Sequence, residues 1–129
     1  MREILFRGKT DKDEWVYGDL LHPDLYGNGY SIEDFTKEKG NCCDVIPETV
    51  GQYTGLTDIN GKKIFEGDIV KCKDYLEAKP FEFQGYIDFK NGSYVIVGDF
   101  MTHYRWLDYE VEVIGNIHDN PELMGGDKR

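Results

Sequence analysis

Between Phe81 and Phe89, apolar side chains recur at Phe81, Phe83, Ile87 and Phe89, with Glu82, Gln84 and Asp88 between them. A period of two is what a strand with one inward face requires, and a helix cannot satisfy it. Lys90-Asn91-Gly92-Ser93 follows with an Asn-Gly centre suited to a hairpin turn. Tyr94 to Val97 then returns as an unbroken apolar run, which reads as burial on both faces. Gly85 interrupts the inward set, as a bulge or a close backbone approach would demand. A second alternation follows, with Tyr109, Val111, Val113 and Ile117 set against Glu110, Glu112 and Asn116. A chain written this way builds β-sheet.

Composition points the same way. Eighteen aromatics stand against a single alanine, Ala78, a bias toward strands. Leu, Ile, Val and Phe make up 33 of 129 residues, above the roughly 20% below which chains tend to stay disordered. A chain of this length buries about two-thirds of its unfolded surface, enough for one domain or two small subdomains sharing a core.

The first half carries weaker strand signals. Arg2 to Arg7 reads as a strand with Ile4 and Phe6 on one face, and Gly8 to Glu14 as the loop of a hairpin. Trp15 to Leu21 returns, with Trp15, Tyr17 and Leu21 on a common face. His22-Pro23-Asp24 breaks it. A turn at Gly27-Asn28-Gly29, a strand over Tyr30 to Phe35, a polar loop over Thr36 to Asn41 and a short strand over Cys42 to Ile46 follow. Pro47 ends that strand, and Glu48 to Tyr53 can form another.

Gln52 to Lys71 is the pivot between the halves. Asn60-Gly61 suits a type I′ reversal with positive φ at both residues. Glu66-Gly67-Asp68 turns the chain into Ile69-Val70. The expected architecture is mainly β with very little helix: an N-terminal β-hairpin region over residues 1–50 joined to a C-terminal SH3-like small barrel over residues 51–129, the two forming one unit where they share a core. Asp74 to Pro80 is a charged loop, and Gly98 to Trp106 is either one helical turn or a loop packed by its aromatics. Asn120-Pro121-Glu122-Leu123 reads as a compact helix start, with Asn as cap and Pro in first position, and Gly125 onward as a frayed tail.

Net charge is −10, from 25 acidic and 15 basic residues. The excess is spread along the chain, with no basic stripe to release counterions from a phosphate backbone. Nucleic acid is therefore an unfavoured partner. Three cysteines, Cys42, Cys43 and Cys72, two of them adjacent, do not make a disulfide framework. The N-terminus lacks the apolar run of a signal peptide, and no stretch is long and apolar enough to span a bilayer. A reducing, cytoplasmic location is expected, with no membrane partner.

No catalytic constellation stands out. His22, His103 and His118 lie far apart, and the cysteines lack a C-x-x-C pair to nucleate a zinc site. Glu66 and Asp68 flank Gly67 as an acid–base pair would, but bonding of Asp68 to turn amides explains it better. Ser31 and Ser93 are the only serines, and neither sits in a nucleophile elbow. No catalytic, cofactor or metal residue is assigned; Asn60, Gly61, Gly67 and Asp68 are read as structural turn residues. Trp15, Tyr17, Tyr94, Tyr104 and Trp106 are either core or an aromatic shelf for extended peptides. Tyr104-Arg105-Trp106 combines residue types enriched at interface hot spots, and is the candidate protein-binding segment.

Three ordered blocks carry a family resemblance. They are Arg2-Glu3-Ile4-Leu5-Phe6-Arg7; Gln52-Tyr53-Thr54-Gly55-Leu56 with Asp58, Asn60-Gly61-Lys62 and Ile64-Phe65-Glu66-Gly67-Asp68-Ile69-Val70; and Val113-Ile114-Gly115-Asn116-Ile117 with Asn120-Pro121-Glu122-Leu123. Nearly end to end, the chain resembles the YopX family of small phage- and prophage-encoded proteins. The resemblance implies an SH3-like C-terminal part and supplies no catalytic motif. Gly8-Lys9-Thr10 departs from the Trp-Asp-type turn common in such relatives, which affects only the first hairpin loop. The expected function is a non-enzymatic protein–protein binding or assembly module, with self-association among its possible modes. The alternative is a nucleic-acid-related role, by direct binding through the barrel or by acidic mimicry against a host protein.

Overall fold

The computed structural model describes residues 3–23, 29–34, 41–74, 81–106 and 109–124. Among them are eleven strands, two short 3-10 turns and no α-helix. The strands are β1 Phe6–Lys9, β2 Trp15–Leu21, β3 Ser31–Asp34, β4 Asn41–Asp44, β5 Gly51–Thr57, β6 Lys63–Phe65, β7 Asp68–Asp74, β8 Phe81–Lys90, β9 Ser93–Gly98, β10 Thr102–His103 and β11 Glu110–Asn116. They form a six-stranded sheet, β4-β3-β2-β1-β5-β6, and a five-stranded sheet, β10-β9-β8-β7-β11. The expected turn at Gly27-Asn28-Gly29 lies almost wholly outside the described residues. So do most of the loops over Thr36 to Asn41 and Asp74 to Pro80, and the tail from Gly125.

The chain divides into two units, Met1–Gly55 and Leu56–Arg129, with β5 crossing the division. In the first, β1 and β2 pair antiparallel from Phe6↔Gly18 to Lys9↔Trp15. The first strand therefore starts later than the apolar pattern predicts: Gly8 and Lys9 belong to it and Ile4 is exposed. The hairpin loop shrinks accordingly. It is closed by the Thr10 amide donating to the Glu14 carbonyl and by Thr10 Oγ1 accepting from the Lys12 and Glu14 amides. Trp15, Tyr17 and Leu21 do share a face of β2, but the opposite face holds the core. Val16, Ile32 and Val45 are buried there, with Phe6, Leu20, Tyr30, Cys43 and Val50 against them. Tyr17 and Leu21 remain exposed, and Trp15 packs its ring 4.7 Å beneath the Arg7 guanidinium.

Pro47 does end β4's extension, but the chain then makes a 3-10 turn, Pro47–Thr49, before β5. Proline suits that start because its missing N–H would be unsatisfied there anyway. Thr49 ties the turn down: its hydroxyl donates to the Ile46 carbonyl at 2.6 Å and accepts from the Lys9 amide at 2.8 Å.

The second unit is built on β7-β8-β9. Ile64, Val70, Cys72, Ile87, Ile96, Trp106 and Val111 form its buried core. Val95 and Ile96, adjacent on β9, are both buried, as the unbroken apolar run implies. Phe83 and Ile87 of β8 point inward, while Phe81 and Phe89 at its ends are exposed because the strand outruns the core. Gly85 sits in unbroken register with both neighbours, so no bulge occurs there. A Cβ at Gly85 would lie 2.6 Å from Ile96 Cγ2 and from the Val97 carbonyl oxygen, so the position marks a close approach. The bulge lies instead in β11, between Val113 and Gly115, and ends the strict alternation expected there.

Among the described residues neither sheet closes on itself, so the expected SH3-like barrel is not confirmed. The five-stranded sheet ends at β10 and β11. Open edges invite pairing with other chains, and this sheet covers parts of both. On the β11 side, Ile59 N–H donates to the Val111 carbonyl at 2.9 Å. On the β9 side, beyond the two residues of β10, the Trp106 indole N–H donates to the Tyr94 carbonyl at 2.9 Å. Gly98 to Trp106 is thus neither a helical turn nor a simple loop, but a tight hairpin with a two-residue strand.

The expected helix start at Asn120 reduces to a 3-10 turn, Pro121–Met124. Asn120 Oδ1 accepts from the Asn116 amide at 3.2 Å instead of capping forward, and Asn116 Oδ1 accepts from the His118 and Asp119 amides. No helix among the described residues is long and apolar enough to cross a membrane.

Candidate functional site

The signature loop Asp58–Lys62 is organised by a carboxylate. Asp58 is buried, and its Oδ1 accepts from the Asn60 and Lys62 amides at 2.8 and 2.9 Å. Its Oδ2 accepts from the Val113 amide of β11 at 2.9 Å. The Gly61 amide donates to the Asp58 carbonyl, and φ is +82° at Gly61 but not positive at Asn60. This is a type I turn closed by a glycine in the left-handed region, and the type I′ expectation for Asn60-Gly61 is corrected. Burial would raise the Asp58 carboxyl, but the three amide bonds and the nearby Lys62 charge outweigh it and hold the group below its ordinary value. The sequence held a signal for this that the Asn-Gly dipeptide obscured: Asp at the first and Gly at the fourth position of a type I turn.

Gly67, with φ +88°, turns β6 into β7. Its amide donates to the Ile87 carbonyl and its carbonyl accepts from Ile117, each at 2.8 Å. Asp68 is buried and its Oδ2 accepts from the Phe65 amide at 2.8 Å. The Asp68 carboxylate thus ties the Phe65 amide into the turn that leads into β7.

The candidate protein-binding segment Tyr104-Arg105-Trp106 divides. Trp106 is 5% exposed and part of the core, whereas Tyr104 is 51% exposed and Arg105 is also exposed. Immediately before them, the β9–β10 hairpin closes with the Gly98 amide donating to the Met101 carbonyl at 2.9 Å. It presents Phe100, 99% exposed, and Met101, 61% exposed. Sequence reading missed these two. Phe100 and Met101 followed by Thr102 and His103 carry no polar residue at the apex except Asp99, which is the signal that could have found them.

Behind this hairpin His103 is buried in an aromatic cluster. Its ring stacks on Phe83 with centroids 4.0 Å apart and planes 16° apart. Tyr109 meets it edge-on at 5.8 Å, with the phenol oxygen 3.3 Å from Nδ1. Burial pushes the His103 imidazole below its ordinary value, against an upward pull from Asp74. Burial also pushes the Cys72 thiol up to about 12, so it stays protonated and unreactive.

Each unit has an open cavity. That of the second unit is about 330 Å³, with Leu56, Ile64, Trp106 and Val111 giving apolar walls and Thr57 and Glu110 polar ones. That of the first is about 420 Å³ and includes Leu20, Tyr30, Pro47, His22 and Glu48. Both are of the size that takes a side chain or small ligand. No group of three or more His, Cys, Asp or Glu among the described residues is placed to hold a metal ion. Cys42 and Cys43, successive on β4, point to opposite faces, so they cannot act as a chelating pair.

The crystal structure of protein EF1440 from Enterococcus faecalis is similar to this chain at 22% identity and a TM-score of 0.53, covering 96% of this chain and 99% of that one. At that identity the likeness concerns the fold. No curated protein matches. The family model described as YopX protein matches residues 5–125, nearly the whole chain and all three sequence blocks apart from the first few residues. The chain belongs to the YopX family.

Proposed function

We propose that this chain is a non-enzymatic protein-binding module, phage- or prophage-encoded and acting in the bacterial cytoplasm, whose contact surface is the Phe100–Arg105 segment. The observation that carries the reading is the exposure of Phe100, Met101 and Tyr104 within five residues of one tight hairpin. Large apolar side chains grouped on one exposed hairpin are costly in water unless a partner covers them. Arg105, next in line, adds a charged donor of the kind enriched at interfaces. A non-enzymatic role is supported by the two carboxylates of the signature region, Asp58 and Asp68, both of which accept hydrogen bonds from backbone amides.

The test is affinity capture from bacterial lysate with wild-type protein and with Phe100→Asp. The expected result is a protein partner retained by wild type and lost by the variant, with the thermal midpoint unchanged because Phe100 contributes no core contact. Retention by both overturns the surface assignment. Capture of basic proteins that disappears with added salt and ignores Phe100 would instead favour acidic mimicry, for which the net charge of −10 is the motive.

A further inference from the structure

We propose that His103 couples protonation to docking of the β9–β10 hairpin, so that acidification releases the surface carrying Phe100, Met101 and Tyr104. What the hairpin is used for rests on the reading above; the coupling itself does not. β10 consists of two residues, paired as Thr102↔Val97 and His103↔Ile96. Of the exposed or half-buried run Gly98 to Arg105, His103 alone is buried. Its ring is therefore the side-chain anchor of the hairpin, inserted between Phe83 of β8 and Tyr109 before β11.

That slot suits a neutral imidazole. Tyr109 supplies one polar contact, at 3.3 Å, and Phe83 covers a ring face. Among the described residues, the surrounding ionisable groups include Asp99 in the hairpin turn and Glu110 at the start of β11. Asp74 at the end of β7 favours the charged ring. Glu82 of β8 lies 3.5 Å from Lys73 of β7, which offsets its charge. β9 contributes no ionisable group but Tyr94, and Arg105 beyond β10 is cationic. Contact with Phe83 gives an imidazolium some cation–π compensation, yet burial dominates and the neutral form is preferred. The released hairpin has an ordinary histidine, titrating near 6.5. Docking is therefore fully stabilised above about pH 6.5 and weakens as pH falls toward the lower docked value. Release of a two-residue ladder costs less than global unfolding, so the response is local.

Nuclear magnetic resonance of the whole chain tests this without any partner. The expected result is a His103 midpoint below the ordinary histidine value near 6.5. Over the same pH interval, exchange of the Gly98 amide, corrected for its intrinsic rate, should accelerate relative to the Gly67 amide. Gly98 bonds to Met101 across the hairpin, and Gly67 bonds to Ile87 in the core sheet. His103→Phe keeps a ring on Phe83 and should make Gly98 protection independent of pH. A His103 midpoint at or above the ordinary value near 6.5, or an unchanged Gly98-to-Gly67 ratio in wild type, overturns the proposal, and neither result needs the variant to fold. Loss of partner capture with this coupling intact would count against the binding reading alone.

Discussion

Asn60-Gly61 and Asn91-Gly92 are the same dipeptide between two strands of the same unit, yet they fold into different turns. At Asn91-Gly92 both residues have positive φ, +53° and +84°, and the strands continue directly into Lys90↔Ser93. This is the two-residue reversal that an Asn-Gly centre favours. At Asn60-Gly61 only the glycine is left-handed, and the loop is one residue longer. The difference lies two residues upstream. Asp58 draws the Asn60 and Lys62 amides onto one carboxylate oxygen and the Val113 amide onto the other. One turn is set by its own backbone preferences; the other is set by a side chain that also covers the edge of β11.

The largest expected effect comes from removing that side chain. Asp58→Ala leaves three amides without their acceptor, and a loss of about 3 kcal/mol is expected by urea unfolding, since an unsatisfied partly buried donor costs roughly 1–3 kcal/mol and water recovers part of it. Asp58→Asn keeps one acceptor oxygen and should lose about half as much. The carboxylate also makes this loop sensitive to acid. Its native titration lies below the ordinary aspartate value, so its contribution is fully present above about pH 4 and disappears as pH falls through the lowered native value. In Asp58→Asn that part of the acid dependence should vanish. If Asp58→Ala unfolds at the wild-type urea midpoint, the carboxylate does not organise the turn.

How much of this was legible follows the same division. Strand identity was written in side-chain alternation, so β8, the Asn91-Gly92 turn and β9 could be read directly. Local dipeptide chemistry could not reveal a competing long-range acceptor, because the Asp58–Val113 contact joins residues 55 positions apart. The same limit applies to the expected barrel. Alternation tells which face of a strand is buried, but closure depends on how edge strands are met, and here the Asp58 loop and the Trp106 indole meet them. Tyr104-Arg105-Trp106 was chosen by residue type. Only packing could separate a core Trp106 that bonds the Tyr94 carbonyl from the exposed Tyr104 beside it. Asp68 was legible as a turn residue because glycine stands next to it, whereas the role of Asp58, three residues before Gly61, was hidden behind the Asn-Gly dipeptide.

The glycines should respond equally. Gly61 and Gly92 have φ of +82° and +84°, and an added Cβ would meet nothing within 4 Å at either. Substitution by alanine therefore isolates the cost of the left-handed backbone, about 1–2 kcal/mol at each position. Matching losses of stability for Gly61→Ala and Gly92→Ala are expected, measured by thermal or urea unfolding. A large inequality would show that one turn relaxes into another geometry when its glycine is replaced.

The asparagines give the smaller but sharper contrast. Asn91 is itself left-handed, a conformation that asparagine tolerates better than alanine, so Asn91→Ala should cost roughly 0.5–1 kcal/mol. Asn60 occupies a position without positive φ, and it is its backbone amide, not its side chain, that bonds to Asp58. Asn60→Ala keeps that amide and should change stability by no more than a few tenths of a kcal/mol. Paired unfolding curves would thus rank one dipeptide's asparagine as structural and the other's as replaceable. Equal losses would mean that Asn60 also holds its turn through a side-chain preference, and that the carboxylate of Asp58 shares the work of choosing between the two geometries.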